Sequence, residues 1–378
     1  MNRFDIAIVG GGIVGAAIAC FSAPHRRVLL LEAEAAPGYH ATGRSAALFT
    51  EAYGPPMVRA LTRASRRFFD APPAGFAAHA LLTPRGTLFV GGPAQAAAVQ
   101  ALHEKLLAEG TAAQRLSGEA ARALVPVLRE SAASAALLDP DAFDIDVEAL
   151  LQGYLRSARA QGTTVMLDAR VRRLARNGHD GWQIETETGR TLQAGTVVNA
   201  AGAWADELAC LAGVPAIGLE PRRRSAFLFA PPEGLDTHAW PAVIDIDERW
   251  YFKPDAGLLL GSPANADPVP PHDVVAEELD VALGIHHIEQ ATTMAIRRPR
   301  STWAGLRSFV ADGEPVLGFE PGVPGFFWAA ALGGYGIQSS PAVGRACAAL
   351  LVDGVLPRDI GDEGVAPAAL SPARLRAD

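Results

Sequence analysis

The chain opens on a short apolar run, Phe4 to Val9, then three glycines, then an alanine-rich stretch from Ile13 to Phe21. A second apolar run, Val28 to Leu31, ends at Glu32. Unbroken apolar runs of this length belong to parallel strands covered on both faces. With the stretch between them they predict a βαβ unit. Residues 37–56 are rich in Gly, Pro, Thr and Ser and predict loop with one helical turn. A helix is expected over Val58–Phe69, a strand pattern over Leu81–Val90 around Pro84-Arg85-Gly86, and a helix through 94–124. Asp144–Arg159 reads as a further helix with an acidic first turn. Val165–Leu174, Gly181–Thr188 and Thr196–Asn199 read as strands. From about 218 to 300 the positions alternate as in an antiparallel sheet, over Ser225–Phe229, Val243–Ile246, Arg249–Lys253 and Leu258–Leu260. A helix over Glu277–Ile288 follows. The pattern ends with a strand at Gly325–Ala331 and a last helix from Ile337 to Val352.

Composition narrows the class. At 378 residues the chain is long enough for two domains. Its 33 Lys and Arg against 41 Asp and Glu give a net charge of −8. With no block of like charge this argues against nucleic acid as a partner. Cys20, Cys210 and Cys347 form no C-x-x-C pair, so neither a disulfide framework, a zinc site nor any other metal is expected. No apolar stretch reaches the ~18 residues of a membrane span, and no signal peptide precedes Phe4. A cytoplasmic location is expected, with peripheral membrane contact left open, as is the oligomeric state.

Gly10, Gly12 and Gly15 fit G-x-G-x-x-G between a strand and a helix. The first glycine makes the tight turn, the second admits a pyrophosphate, and the third lets helix and strand pack closely. Phosphates then sit at a helix N-terminus. Glu32, at the end of the second strand, is placed to accept hydrogen bonds from ribose hydroxyls. The expected fold is α/β plus antiparallel β. A Rossmann-like domain of residues 1–80, 145–215 and 303–378 is interrupted by a mixed-sheet domain of 81–144 and 216–302. Two later features favour FAD over NAD. Val197 to Trp204 is a strand ending in a small-residue turn that can press on a bound cofactor. Gly333-Gly334-Tyr335-Gly336-Ile337-Gln338 allows close backbone approach before the last helix, which has Pro341 in its first turn.

The chain also resembles the D-amino-acid-oxidase-like flavoproteins, and within them the bacterial D-arginine and D-amino acid dehydrogenases. The stretches that carry the likeness are Pro37–Ala47, Arg223–Phe227, Leu259–Pro268 and Trp303–Gly313. The resemblance implies non-covalent FAD, since no cysteine lies near Arg307, where relatives with covalent flavin carry one. It places the cofactor against Gly10, Gly12, Ile13, Val14, Gly15 and Glu32, and against the loop Thr42, Gly43, Arg44, Ser45, Ala46 and Ala47. Further contacts fall on Val171, Ala201, Gly202, Trp204, Arg307, and Gly333 through Gln338. Tyr53, Arg224, Tyr251 and Arg307 would grip a substrate carboxylate. Leu48, Thr50, Thr87, Gly334 and Gln338 would line the rest of the pocket. D-Arginine enzymes carry an acid where this chain has Thr87 and a histidine where it has Leu48. A buried guanidinium without a carboxylate partner is costly, so uncharged or apolar D-amino acids are expected instead.

The residue chemistry agrees. Arginine presents a planar, permanently charged fork that matches a carboxylate, and tyrosine adds an O–H donor while its ring excludes water. The expectation is oxidative deamination of a D-amino acid to an imino acid and then a 2-keto acid. A quinone, a dye or oxygen would be the electron acceptor. Oxidation of a 2-hydroxy acid, or of an N-methyl amine such as sarcosine, is the alternative.

Overall fold

The computed structural model describes residues 3–178 and 181–376. It begins with the βαβ unit: strand β1 (Arg3–Val9), helix α1 (Ile13–Ser22) and strand β2 (Val28–Leu31), the strands pairing parallel. Next come β3 (Leu48–Phe49), α2 (Pro56–Asp70), β4 (Leu82–Pro84), β5 (Thr87–Gly91), α3 (Ala96–Ala108), β6 (Gln114–Ser117), α4 (Gly118–Leu124), β7 (Ala135–Asp139) and β8 (Phe143–Ile145). Helix α5 (Val147–Ala160) leads to β9 (Thr164–Met166), β10 (Val171–Arg176), β11 (Trp182–Thr186), β12 (Thr191–Asn199) and α6 (Ala205–Leu211). The second half holds β13 (Glu220–Phe229), β14 (Ala242–Asp245), β15 (Tyr251–Asp255), β16 (Leu258–Ser262), β17 (Asp267–Pro268) and α7 (Glu278–Ala291). It closes with β18 (Ser301–Phe309), β19 (Val316–Phe319), β20 (Phe326–Ala330) and α8 (Ser340–Val352).

Two large sheets organise most of these elements, and β3, β8 and β4 form a small third one. The first runs β10-β11-β12-β1-β2-β9, with β20 also beside β12 and β19 beside β20. Its central strands are buried on both faces, which is why they read as unbroken apolar runs. Ile6 and Ile8 join the core with α1, α5 and α8, while Ala7 and Val9 join the one on the opposite face. The second sheet runs β17-β13-β16-β15-β14-β5-β7-β6, with β18 against β13. Phe227, Phe229, Trp240, Trp250 and Phe252 fill its core. Strands β13 and β18 pair from Glu220↔Phe309 to Leu228↔Ser301, which brings the two arginines of interest together. Among the described residues no helix is long and apolar enough to cross a membrane.

Several local expectations are corrected. The helix expected through 94–124 is two helices separated by β6. Gly110, in the left-handed region at φ 78°, ends the first, and the Ser117 side chain caps the second by accepting from Ala120 N. Asp144 belongs to β8, and the following helix starts after Asp146, whose carboxylate accepts from Ala149 N. The run Val165–Leu174 breaks around Asp168, at φ 50°. The last helix begins at Ser340, leaving Ile337 in the preceding turn. Strands β7, β18 and β19 were not anticipated. Strands β7 and β18 depend on pairing with a distant segment rather than on a local period, and β19 forms a hairpin with β20.

Candidate active site

A cavity of about 510 Å³ extends from the end of β1 to the β13–β18 pair, in the size range of small-molecule sites. At its first end, Gly10 N donates to Leu31 O and holds the turn closed. Gly10 sits at φ 112°, and an added Cβ would overlap Ala200 O. A Cβ on Gly15 would overlap Gly10 O, so this glycine serves helix–strand packing and does not line the cavity. Gly12 precedes α1 and does line it. A Cβ there would meet only Thr42 Oγ1, at 3.3 Å. Ile13 N donates to that same hydroxyl at 3.0 Å. Helix α1 has no acidic residue in its first turn and no side-chain cap from Gly12, so its positive end opens on the cavity.

Glu32 faces this end. Its carboxylate accepts from Gly11 N at 2.8 Å and Glu34 N at 2.9 Å, which fixes its orientation and leaves lone pairs for ribose hydroxyls. Ile13, Val14, Thr42, Ser45, Ala46, Ala47, Val171, Ala201, Gly202 and Trp204 line the same stretch, as do Gly333, Tyr335, Gly336 and Ile337 further on. Gly43 does not; its N–H donates to Gly38 O at 2.8 Å and shapes the loop. Arg44 touches the cavity but spends its guanidinium elsewhere, on Asp273 and on the carbonyls of Val274 and Ala304. It ties the cofactor loop to the second sheet. The donor set, open helix end and glycine cradle fit a dinucleotide.

The other end is cationic. Arg224 and Arg307 occupy diagonal positions on the β13–β18 pair, where Arg224 lies opposite Gly305. Arg224 Nε donates to Asn265 O at 2.6 Å. The Arg307 guanidinium lies 5.6 Å from the Tyr335 ring and 5.5 Å from that of Phe309. It also lies so close over Gly334 that any Cβ there would overlap Nε, so a bulkier residue at 334 would displace the fork. Among the described residues, neither arginine has a carboxylate within ion-pair distance. Burial and then repulsion by Arg307 hold Arg224 below its ordinary pKa. Burial also opposes the Arg307 charge, but the phenols of Tyr53 and Tyr335 outweigh it and the pKa is raised. Both remain cations at any physiological pH. Two unneutralised guanidinium groups at one end of a cavity make a receptor for an anion. Arg223 is buried on the opposite face of β13, paired with Asp280 at 2.9 Å and with Glu277.

Tyr53 follows β3, with its ring 5.3 Å from that of Tyr335 and its hydroxyl donating to Glu248 at 3.0 Å. Burial pushes its phenol above the ordinary range. Tyr251, at the start of β15, lines the same end. Gln338 Nε2 donates to Thr62 Oγ1 at 3.0 Å and to Thr50 O at 3.3 Å, anchoring the loop that carries Thr50 and Tyr53. The side-chain wall is Leu48, Phe89, Ala242 and Ile244. Thr87 is not part of it. It lies on the same face of β5 as Phe89 but is fully buried opposite Asp139, and its hydroxyl has no partner. Sequence reasoning missed Phe89, Glu248 and Lys253. Lys253 could have been found from its i, i+2 spacing to Tyr251 on one strand face. Glu248 sits at φ 54° in a hairpin turn, and no local pattern marks it.

A family model described as FAD dependent oxidoreductase (DAO) matches residues 5–350. The chain is 25% identical over 410 residues to FAD-dependent oxidoreductase domain-containing protein 1 of Bos taurus, covering 93% of this chain and 82% of that protein. It superposes on glycine oxidase from Geobacillus kaustophilus with a TM-score of 0.82 at 24% identity, covering 99% of both chains. On L-proline dehydrogenase from P. horikoshii the TM-score is 0.81 at 21% identity, covering 99% of this chain and 98% of that one. These relatives do not single out the D-arginine dehydrogenases. The stretches behind that narrower likeness build the cofactor loop and the hold on Arg224, not the side-chain wall. The chain belongs to the DAO family of FAD-dependent oxidoreductases.

Proposed function

We propose that this protein oxidises a small amino acid with an apolar side chain, of D configuration, at its α-carbon. The product is an imino acid that hydrolyses to a 2-keto acid and ammonia. The observation that carries the reading is the unneutralised Arg224–Arg307 pair beside the apolar wall of Leu48, Phe89, Ala242 and Ile244. A carboxylate would take the two guanidinium forks, with Tyr53 and Tyr251 at its flanks. The aliphatic side chain would then lie on the wall, which fixes the α-carbon's orientation. FAD, when bound, supplies a two-electron acceptor. Gly12, Glu32, Thr42 and the 333–338 turn would hold it. No cysteine is among the residues lining the cavity, which supports dissociable flavin. The D configuration rests on the resemblance in sequence; the two solved structures named above are a glycine oxidase and an L-proline dehydrogenase.

The division into two discontinuous domains belongs to the same reading. Its boundary at 303 falls inside β18, which pairs with β13 of the second sheet. The test is to incubate purified holoenzyme and a dye acceptor with both enantiomers of a panel of amino acids, assaying ammonia and 2-keto acid. Formaldehyde from N-methyl substrates without ammonia from any primary amino acid overturns the proposal.

A further inference from the structure

A substrate ammonium holds no free electron pair, so an amino acid must lose a proton before oxidation at its α-carbon. The residues gathered at the anion end include no obvious base. Glu248 is exposed and accepts from Tyr53, and Lys253 is committed to Asp144 at 2.6 Å. One polar pair behind the cavity wall takes no part in the anion receptor. Thr50 lines the cavity, and its hydroxyl donates to Asp139 Oδ2 at 3.1 Å while accepting from Ala52 N at 3.2 Å. That leaves one lone pair on the hydroxyl to meet a donor from the substrate side. Asp139, at the end of β7, is only 3% exposed and does not reach the cavity itself. Its other oxygen accepts from Asp141 N at 3.1 Å.

We propose that Thr50 and Asp139 form a proton relay: the bound ammonium gives a proton to the Thr50 hydroxyl as that hydroxyl gives its own to the Asp139 carboxylate. The inference rests on the amino-acid reading above. One N–H bond of the ammonium breaks and an O–H bond forms on Thr50. The former Thr50 O–H bond breaks and an O–H bond forms on Asp139. Nothing is oxidised or reduced; the amine keeps the electron pair, and Asp139 becomes a neutral acid. Its proton returns to water by the reverse route after the product leaves.

The surrounding charges drive the transfer in this direction. Arg224 and Arg307 repel an ammonium and favour the neutral amine. Burial disfavours the Asp139 carboxylate, and Asp141 adds like-charge repulsion; together they raise its pKa. Glu51, whose own pKa is raised by burial and in part by Asp139, faces it from the Thr50 loop. From β5 it meets only neutral Thr87, and the nearby cations Arg85 and Lys253 are spent on Asp144. Thr50 is the residue that touches substrate, and Asp139 acts through it.

The test is the pH dependence of anaerobic flavin reduction by an apolar D-amino acid, in wild-type holoenzyme and in Asp139→Asn, which keeps the size of the side chain. Wild type loses rate as the pH falls through the Asp139 titration. Asp139→Asn is slowed at neutral pH by roughly 100-fold or more, the usual scale of a lost acid–base group. Its profile moves to the ionisation of the amine itself, so the rate approaches wild type at alkaline pH. Binding of 3-methylbutanoate, a carboxylate with no amine, stays unchanged. A variant profile parallel to wild type, whether at full rate or uniformly lowered, overturns the relay. If Asp139→Asn does not fold, Thr50→Val and Thr50→Ser decide. Valine shifts the profile in the same way and serine recovers most of the lost rate, or the relay is wrong. If no amino acid reduces the wild-type flavin, the proposed function itself fails, independently of the relay.

Discussion

Replacing Arg307 with alanine removes one of two guanidinium groups that face the cavity without a carboxylate partner. Truncating one member of a buried charge pair costs about 2–5 kcal/mol in binding. Arg224 remains at the diagonal position on β13, released from the repulsion that lowers its pKa. The loss should therefore fall in the lower part of that range. About 2–3 kcal/mol corresponds to roughly 30- to 140-fold in kcat/KM, carried mostly by KM. Geometry adds a second check. Gly334 has no Cβ because Arg307 occupies that space. Gly334→Ala alone should mimic the loss of Arg307 by pushing the fork aside, and should add little in the Arg307→Ala background. Steady-state kinetics with one apolar amino acid, affinity for 3-methylbutanoate, and thermal melts of the four proteins complete the cycle. An unchanged KM and an unchanged inhibitor affinity in Arg307→Ala refute the anion-receptor argument.

Further outcomes follow from other parts of the molecule. Thr87→Val removes a buried hydroxyl that has no partner, so stability should rise by up to about 1–3 kcal/mol of relieved desolvation, seen as a higher melting temperature, with kcat/KM unchanged; a fall in both would return Thr87 to the pocket. Gly15→Ala places a Cβ on Gly10 O and should yield protein that does not retain FAD, seen as a colourless preparation. The raised pKa of Asp139 means that the folded state binds this proton more tightly than the unfolded chain. Stability is therefore lost as the pH rises from the ordinary carboxylate range through the folded pKa. Asp139→Asn should melt higher than wild type at neutral pH, and the gap should close on acidification; a gap independent of pH contradicts that assignment.

The nucleotide end was legible because its requirements are local. Gly10, Gly12, Gly15 and Glu32 fall within one βαβ unit; backbone clearance requires Gly10 and Gly15, and two nearby N–H groups fix Glu32. The substrate end was legible only in part. Arg224 and Arg307 could be suspected from their residue type and apolar neighbours. Their meeting depends on β18 pairing with β13 across some eighty residues of chain, which no local period records. Thr87 was misplaced for a related reason. Alternation along β5 puts it on the same face as Phe89, but it is fully buried opposite Asp139 of β7 and does not line the cavity. Glu248 sits on a turn whose only mark is its left-handed backbone, and that conformation is not written in its residue type.

The most direct measurement sets three molecules of one shape against the same holoenzyme in the absence of oxygen: D-valine, its N-methyl derivative, and 2-hydroxy-3-methylbutanoate. D-Valine should bleach the flavin, with the hydroxy acid binding as a competitor that leaves the colour intact. Bleaching by the hydroxy acid or the N-methyl compound, with D-valine inert, would contradict the account.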